Sequence, residues 1–188
     1  MRHVRKNACI IYSTVDGQTK KICDVLSANL KSKFNVKVIN INESNSKSLQ
    51  KSDIIILGAS IRYGKHRLEV YDFVEKNKYL LTSKKSAFFT VNVVARKKEK
   101  NTPETNPYMM KFLEKSKWKP RYLAVFAGKI DYPALSLFDR YIIKFIMWLT
   151  KGPTDMRKAY EFTNWNKVQE FANLLKEETD IDFSREIK

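Results

Sequence analysis

The sequence predicts an α/β domain in which a parallel sheet is covered by helices on both faces. Two observations predict it. Short, continuous apolar runs of strand length recur along the chain, and segments with helical apolar spacing separate them. With 188 residues, 43% of them hydrophobic, the chain can furnish one ordinary core, so a single domain spanning 1–188 is expected.

Ala8-Cys9-Ile10-Ile11-Tyr12 is the first apolar run, after an amino-terminal extension at 1–7. Ile22, Val25, Leu26 and Leu30 follow at helical spacing. Val36 to Ile41 alternates as a half-buried strand does, and Ile54-Ile55-Ile56-Leu57 is fully apolar up to Gly58. A helix is expected from about His66 to Tyr79, a fourth strand over Ala87 to Val91, a third helix over Tyr108 to Lys115 and a fifth strand over Leu123 to Ala127. Two connections are long: Asn92 to Pro107, and a stretch after Gly128 read as an insertion at 129–158. Both leave carboxyl ends of strands, the edge where open α/β sheets bind ligands. Thr163 is the expected cap of a closing helix patterned by Val168, Phe171, Ala172, Leu174 and Leu175, with a frayed tail over 177–188.

The formal net charge of +16 implies an anionic partner, and nucleic acid, an acidic membrane surface and a carboxylated substrate all satisfy it. Nucleic acid is disfavoured, because the aromatics fall in core-like periods rather than among the lysines. Cys9 and Cys23 make no disulfide framework and point to a reducing compartment. With only His3 and His66 there is no metal-site spacing. The basic start Met1 to Lys6 precedes an apolar run too short for a signal peptide.

Between the first strand and first helix lies Ser13-Thr14-Val15-Asp16-Gly17-Gln18-Thr19. Hydroxyl donors, a glycine and the free N–H groups of a helix start suit a phosphate. Ser, Thr and Asp are equally good capping residues, so the pattern alone leaves capping and phosphate binding open. No Walker lysine follows the glycine, and no GxGxxG is present.

Further motifs are Gly58-Ala59-Ser60-Ile61-Arg62-Tyr63-Gly64, Val91-Asn92-Val93-Val94-Ala95-Arg96-Lys97, Thr102-Pro103-Glu104-Thr105-Asn106, Asp139-Arg140 with Ile142-Ile143-Lys144, and Thr154-Asp155 with Arg157-Lys158. The first loop resembles the Thr/Ser-x-Thr-Gly-x-Thr phosphate loop of flavodoxins, with Asp16 in place of the second hydroxyl residue. The series as a whole resembles the bacterial menaquinone-dependent protoporphyrinogen oxidases, from about Ala8 to Ala172.

That resemblance implies a flavodoxin-like doubly wound sheet of five parallel strands, order 2-1-3-4-5, with an inserted helix splitting the fifth strand. It implies FMN as cofactor, protoporphyrinogen IX as electron donor, menaquinone or ubiquinone as acceptor, and a role in haem synthesis at the cytoplasmic face of the bacterial inner membrane. Thr14, Val15, Asp16, Gly17, Gln18 and Thr19 would hold the phosphate. Ser60, Ile61, Arg62, Tyr63, Asn92, Val93, Val94, Ala95 and Arg96 would border the ring. Asp16 is expected to contribute its N–H and to turn its carboxylate toward the helix start or solvent. Arg62 would tune the flavin or meet a substrate propionate, against the alternative of a solvated loop arginine. Tyr63 would stack on the ring or serve in packing. Arg96 opens a basic rim with Lys97, Lys98 and Lys100. The chemistry resides on the flavin, so no catalytic side chain is named. Asp131 reads as turn chemistry and His66 as an exposed, structural residue.

Leu135 to Lys151 is the most apolar stretch and would form a helix of roughly 25 Å. Asp139, Arg140 and Lys144 make it a poor membrane span. Ser136, Arg140, Lys144 and Lys151 fall near one line on an otherwise apolar body, which suits a helix lying at a membrane surface. Burial in the core or in a dimer interface is the alternative. The rival functions on the same fold are an electron-transfer flavodoxin and an NAD(P)H quinone reductase.

Overall fold

The computed structural model describes residues 5–183; positions 1–4 of the expected extension and 184–188 of the expected tail lie outside the described residues. Strands β1 (Lys6–Ser13), β2 (Phe34–Asn40), β3 (Ile54–Arg62), β5 (Lys85–Asn92) and β6 (Tyr122–Ala127) pair in parallel in the order β2-β1-β3-β5-β6. This is the expected 2-1-3-4-5 order, with one short strand, β4 (Lys65–His66), added antiparallel to β3.

The sequence pattern of each strand follows from its place. β1, β3 and β5 are central and covered on both faces, so they read as unbroken apolar runs, whereas β2 lies at an edge and alternates. On one face, α1 (Gln18–Leu30) and α7 (Trp165–Phe183) bury Ile22, Leu26, Val168 and Phe171 against Ile10, Ile56 and Phe89. On the other, the short α2 (Ser46–Gln50) with α3 (Leu68–Lys76) and α5 (Pro107–Ser116) buries Leu49, Val70, Phe73, Met109 and Phe112 against Ile11, Leu57 and Phe88. Phe89 lies across its register partner Gly58, where a Cβ would come within 2.2 Å of the ring.

Several boundaries differ from the sequence expectation. The helix expected from His66 is two helices, α3 and α4 (Lys78–Ser83), joined at Asn77, whose side-chain amide donates to the Phe73 carbonyl. His66 belongs to β4, because Tyr63 and Gly64 both take positive φ (49° and 74°) and turn the chain back on β3 as a two-residue hairpin. His66 is therefore buried rather than exposed. Asn164 caps α7 in place of Thr163, accepting from the Lys167 N–H. The α7 helix continues past Glu177 to Phe183.

The inserted stretch leaves β6 at Gly128 and closes on itself, so it follows the fifth strand instead of splitting it as expected. Its flanks, β7 (Lys129–Asp131) and β8 (Ala159–Glu161), pair antiparallel in a separate two-stranded sheet, and the Phe162 N–H donates to the Gly128 carbonyl at 3.0 Å. Between them α6 (Leu137–Leu149) rests on a small third cluster of Ile130, Tyr132 and Met147, with Val93, Leu135 and Ile143 around it.

Candidate functional site

Because β1, β3 and β5 are adjacent and parallel, their carboxyl ends deliver three loops to one edge. Ser13 is in register with Ala59, and Ser60 with Val91. The segments Thr14–Thr19, Ser60–Tyr63 and Asn92–Arg96 are thereby brought together as the sequence reading requires.

Thr14 Oγ1 accepts from the Gly17 N–H at 3.1 Å, and Gly17 takes the left-handed conformation, φ 81°. No side chain caps α1, so its first-turn N–H groups are left to an external acceptor. Thr19 Oγ1 and Ser60 Oγ are buried without hydrogen-bond partners. Buried hydroxyls of this kind cost free energy unless something bonds them, and a phosphate beside the helix start and a polar ring edge beside β3 fit that need. Gln18 has only its backbone to offer, since its side-chain amide donates to Glu161 Oε1 (3.1 Å) and Thr163 Oγ1 (2.9 Å).

Arg62 is neither solvated nor free. Its Nη1 donates to Asp16 Oδ2 at 3.0 Å and its Nη2 to Asp139 Oδ2 at 2.8 Å, and its side chain is 18% exposed. The Asp16 carboxylate thus turns to Arg62 rather than to the helix start, and it stays 51% exposed, so the solvent direction expected of it holds in part. Asp139, on the first turn of α6, also accepts from Tyr63 and from Ser136 Oγ (2.9 Å). Those hydrogen bonds, Tyr63 first, then Ser136, with the Arg62 charge adding to them, hold its carboxyl below the usual carboxylate range. Tyr63 is 64% exposed, with the Arg62 guanidinium 5.2 Å from its ring centroid.

The third loop is built from asparagines. Asn92 Oδ1 accepts from the Ala95 N–H, and Asn106 Nδ2 donates to Asn92 Oδ1 and to the Lys100 carbonyl. Asn106 Oδ1 in turn caps α5. Val93 packs on the third cluster and Ala95 on the main core, so this segment is anchored from within. Arg96 turns inward instead of joining a basic rim: Nη2 donates to the Thr150 carbonyl (3.0 Å) and hydroxyl (2.8 Å), and Nη1 to the Val93 carbonyl (3.2 Å).

Away from this edge, His66 bonds Thr90 Oγ1 at 3.0 Å among Tyr71, Phe88 and Phe112, and burial pushes its pKa down to about 4. It is a neutral core residue at pH 7. Asp131 closes strand β7, opposite Ala159, and pairs with Lys129 two residues back at 2.7 Å, a strand-end ion pair rather than the expected turn chemistry. Both cysteines are buried and free, with burial raising their pKa values, Cys9 to about 11. Among the described residues no group of His, Cys, Asp and Glu could hold a metal ion.

The insertion carries its apolar residues outward. Leu137, Phe138, Tyr141, Phe145, Trp148 and Leu149 are exposed, and Met147 alone on α6 is buried, so the core-helix alternative does not describe it. Arg140 is not on an outer basic stripe: its Nη2 donates to the Pro133 and Leu135 carbonyls. No helix among the described residues is long and apolar enough to cross a membrane.

Sequence reasoning quoted Asn106 in a motif without giving it a role, and it missed Thr150, the partner of Arg96. A signal for Asn106 existed in the Asn-Pro dipeptide, which reads as a helix start; Thr150 carried none.

Comparison with known proteins bears on the family and the fold. Residues 9–157 match the family described as Flavodoxin domain. The chain is 42% identical over 172 residues, 91% of its length and 95% of the relative's, to protoporphyrinogen IX dehydrogenase [quinone] of Escherichia coli K12. It is 42% identical over 166 residues, 87% of its length and 72% of the relative's, to the Leishmania major protein of the same name. The solution structure of two-electron reduced Megasphaera elsdenii flavodoxin superposes with a TM-score of 0.50 at 16% identity, covering 63% of this chain and 84% of that one, which speaks to the fold.

Proposed function

The chain belongs to the flavodoxin-domain family, among the quinone-dependent protoporphyrinogen IX dehydrogenases, and from that premise we propose that it oxidises protoporphyrinogen IX to protoporphyrin IX with a respiratory quinone, menaquinone or ubiquinone, as acceptor and FMN as cofactor. The observation that carries the reading is the coincidence, on one sheet edge, of an uncapped helix start with the two unpartnered buried hydroxyls of Thr19 and Ser60.

When bound, FMN supplies the two-electron chemistry that no side chain of this site possesses. Thr14 fixes the loop by accepting from the Gly17 N–H, the left-handed Gly17 lets the backbone approach closely, and Gln18 and Thr19 offer backbone N–H donors and the Thr19 hydroxyl to the phosphate. Arg62 holds Asp16 so that a carboxylate does not oppose that phosphate. Ser60 and Tyr63 border the ring from β3, and the Asn92 to Arg96 segment borders it from β5, its backbone set by Asn92 and Asn106. Water or bulk base takes the protons, since Glu69 is engaged by Ser13 (2.6 Å) and Arg67 (3.0 Å), and Asp16 and Asp139 by Arg62.

The outward face of α6 lies on an anionic membrane surface, at the cytoplasmic side of the inner membrane, where the quinone is dissolved. Exposed Trp148 and Phe145, whose rings stack at 6.1 Å, and the net charge of +16 support this reading. Anaerobic addition of protoporphyrinogen IX to the yellow protein is the test. Bleaching, reversed by quinone, is expected; a protein that stays colourless at saturating FMN, or is reduced only by NADPH, would remove the proposal. Deleting 135–150 should leave FMN bound while releasing the protein from anionic vesicles.

A further inference from the structure

The inserted helix is gripped at both ends by the two loops that border the ring in the reading above. At its start, Asp139 takes Arg62 Nη2 at 2.8 Å and the Tyr63 hydroxyl, both from the end of β3. At its finish, Thr150 takes Arg96 Nη2 at 3.0 Å on its carbonyl and 2.8 Å on its hydroxyl, from the loop after β5. Arg96 is placed where a cation is most favourable, at the negative end of a helix dipole. The partners are 77 and 54 residues apart in sequence, so neither contact is local helix chemistry. Between these ends Met147 and Ile143 pack on the small cluster, and Arg140 donates to the Pro133 and Leu135 carbonyls within the insertion itself. Ser136 and Asp139 also form a capping pair, which by itself would need nothing from Arg62.

We propose that Asp139 and Arg96 are positioning residues that couple cofactor to helix: each ties one end of α6 to a ring-bordering loop, so that a flavin ordering those loops also seats the membrane-facing helix. The helix cannot tilt without pulling Arg62 from Asp139 or Arg96 from Thr150. Each displacement would reach the loop backbone, directly at the Val93 carbonyl in the case of Arg96. Arg62 extends the tie to Asp16 in the phosphate loop, which makes the connection continuous from one end of the cofactor site to the insertion.

This inference rests on the flavin reading, and its test separates the two. Backbone amide exchange across residues 137–149 is measured first without FMN, in wild type, R62Q, D139N and the double variant. R62Q should raise exchange about tenfold, D139N at least as much because it also weakens the Tyr63 and Ser136 bonds, and the double no further than D139N, because the contact R62Q removes from α6 is one D139N has already broken. Additive effects, or no change in R62Q, would reduce Asp139 to a helix cap and overturn the proposal. D139E, which keeps the charge, should restore wild-type exchange; failure to do so would also count against it. With FMN added, its visible absorbance reports occupancy independently. Exchange in α6 should then slow in wild type but not in D139N, and equal slowing in both would overturn the coupling. If wild type takes up no FMN, the flavin reading falls while the cycle without FMN still decides the tie.

Discussion

Phe112 on α5 and Phe145 on α6 are the same side chain on amphipathic helices, yet the first is 0% exposed and the second 58%. The difference lies in what each helix has beneath it. α5 lies over the sheet face carrying Phe88, whose ring stacks on Phe112 at 4.2 Å, with His66, Tyr71 and Trp118 around it. α6 stands beyond the edge on an outgrowth with a cluster of its own, too small to cover two sides of a helix. An apolar stripe states that a surface will be covered; the position of the helix in the topology decides whether the chain itself does the covering.

Truncation should separate the regions most. Phe112→Ala is expected to cost about 3–5 kcal/mol, read from urea unfolding, because it opens a cavity among packed rings. A loss below 1 kcal/mol would mean that the core is looser than its geometry. The next largest effect is at His66. Its folded pKa, about 4, lies below the ordinary 6.5, so the unfolded chain binds a proton that the folded chain refuses. Stability is therefore intact above pH 6.5 and falls as pH drops toward 4, by about 3 kcal/mol. His66→Gln should flatten that limb of a stability-versus-pH series, and an unaltered slope would assign it to other groups. Gly58→Ala should cost about 1–3 kcal/mol by driving a methyl into Phe89. On the insertion the sign of the comparison reverses: Phe145→Ser with Trp148→Ser should shift unfolding by no more than about 0.5 kcal/mol while weakening binding to anionic vesicles roughly 100-fold. Equal vesicle binding would mean that the exposed face serves another partner.

The fold was legible because its signals are local. Ile10-Ile11 and Ile54 to Leu57 could only be strands covered on both faces, and Ile22, Leu26 and Leu30 mark one buried stripe. The positions of the three edge loops followed from that order. What stayed hidden depended on contacts distant in sequence or on backbone geometry. Nothing in Tyr63-Gly64 announced a turn with two positive φ values, because a tyrosine rarely accepts one; the hairpin it makes is what buries His66. Arg62, Asp16 and Asp139 could each be named from motifs, but their meeting requires three loops and a helix to converge. Arg96 read as one of several cations on a rim, and only the end of α6 turns it inward. Thr163 looked like the cap, yet its hydroxyl donates to the Ala127 carbonyl and leaves the helix start to Asn164.

The ribbon formed by β7 and β8 has a consequence for how such a protein can be altered. Lys129 lies opposite Glu161 and Asp131 opposite Ala159, so the outgrowth leaves and re-enters the body through a single narrow neck. Everything distal to that neck can be lost or exchanged without rewiring the strands, but a replacement would have to supply new partners for Arg62 and Arg96, which the outgrowth now engages through Asp139 and Thr150.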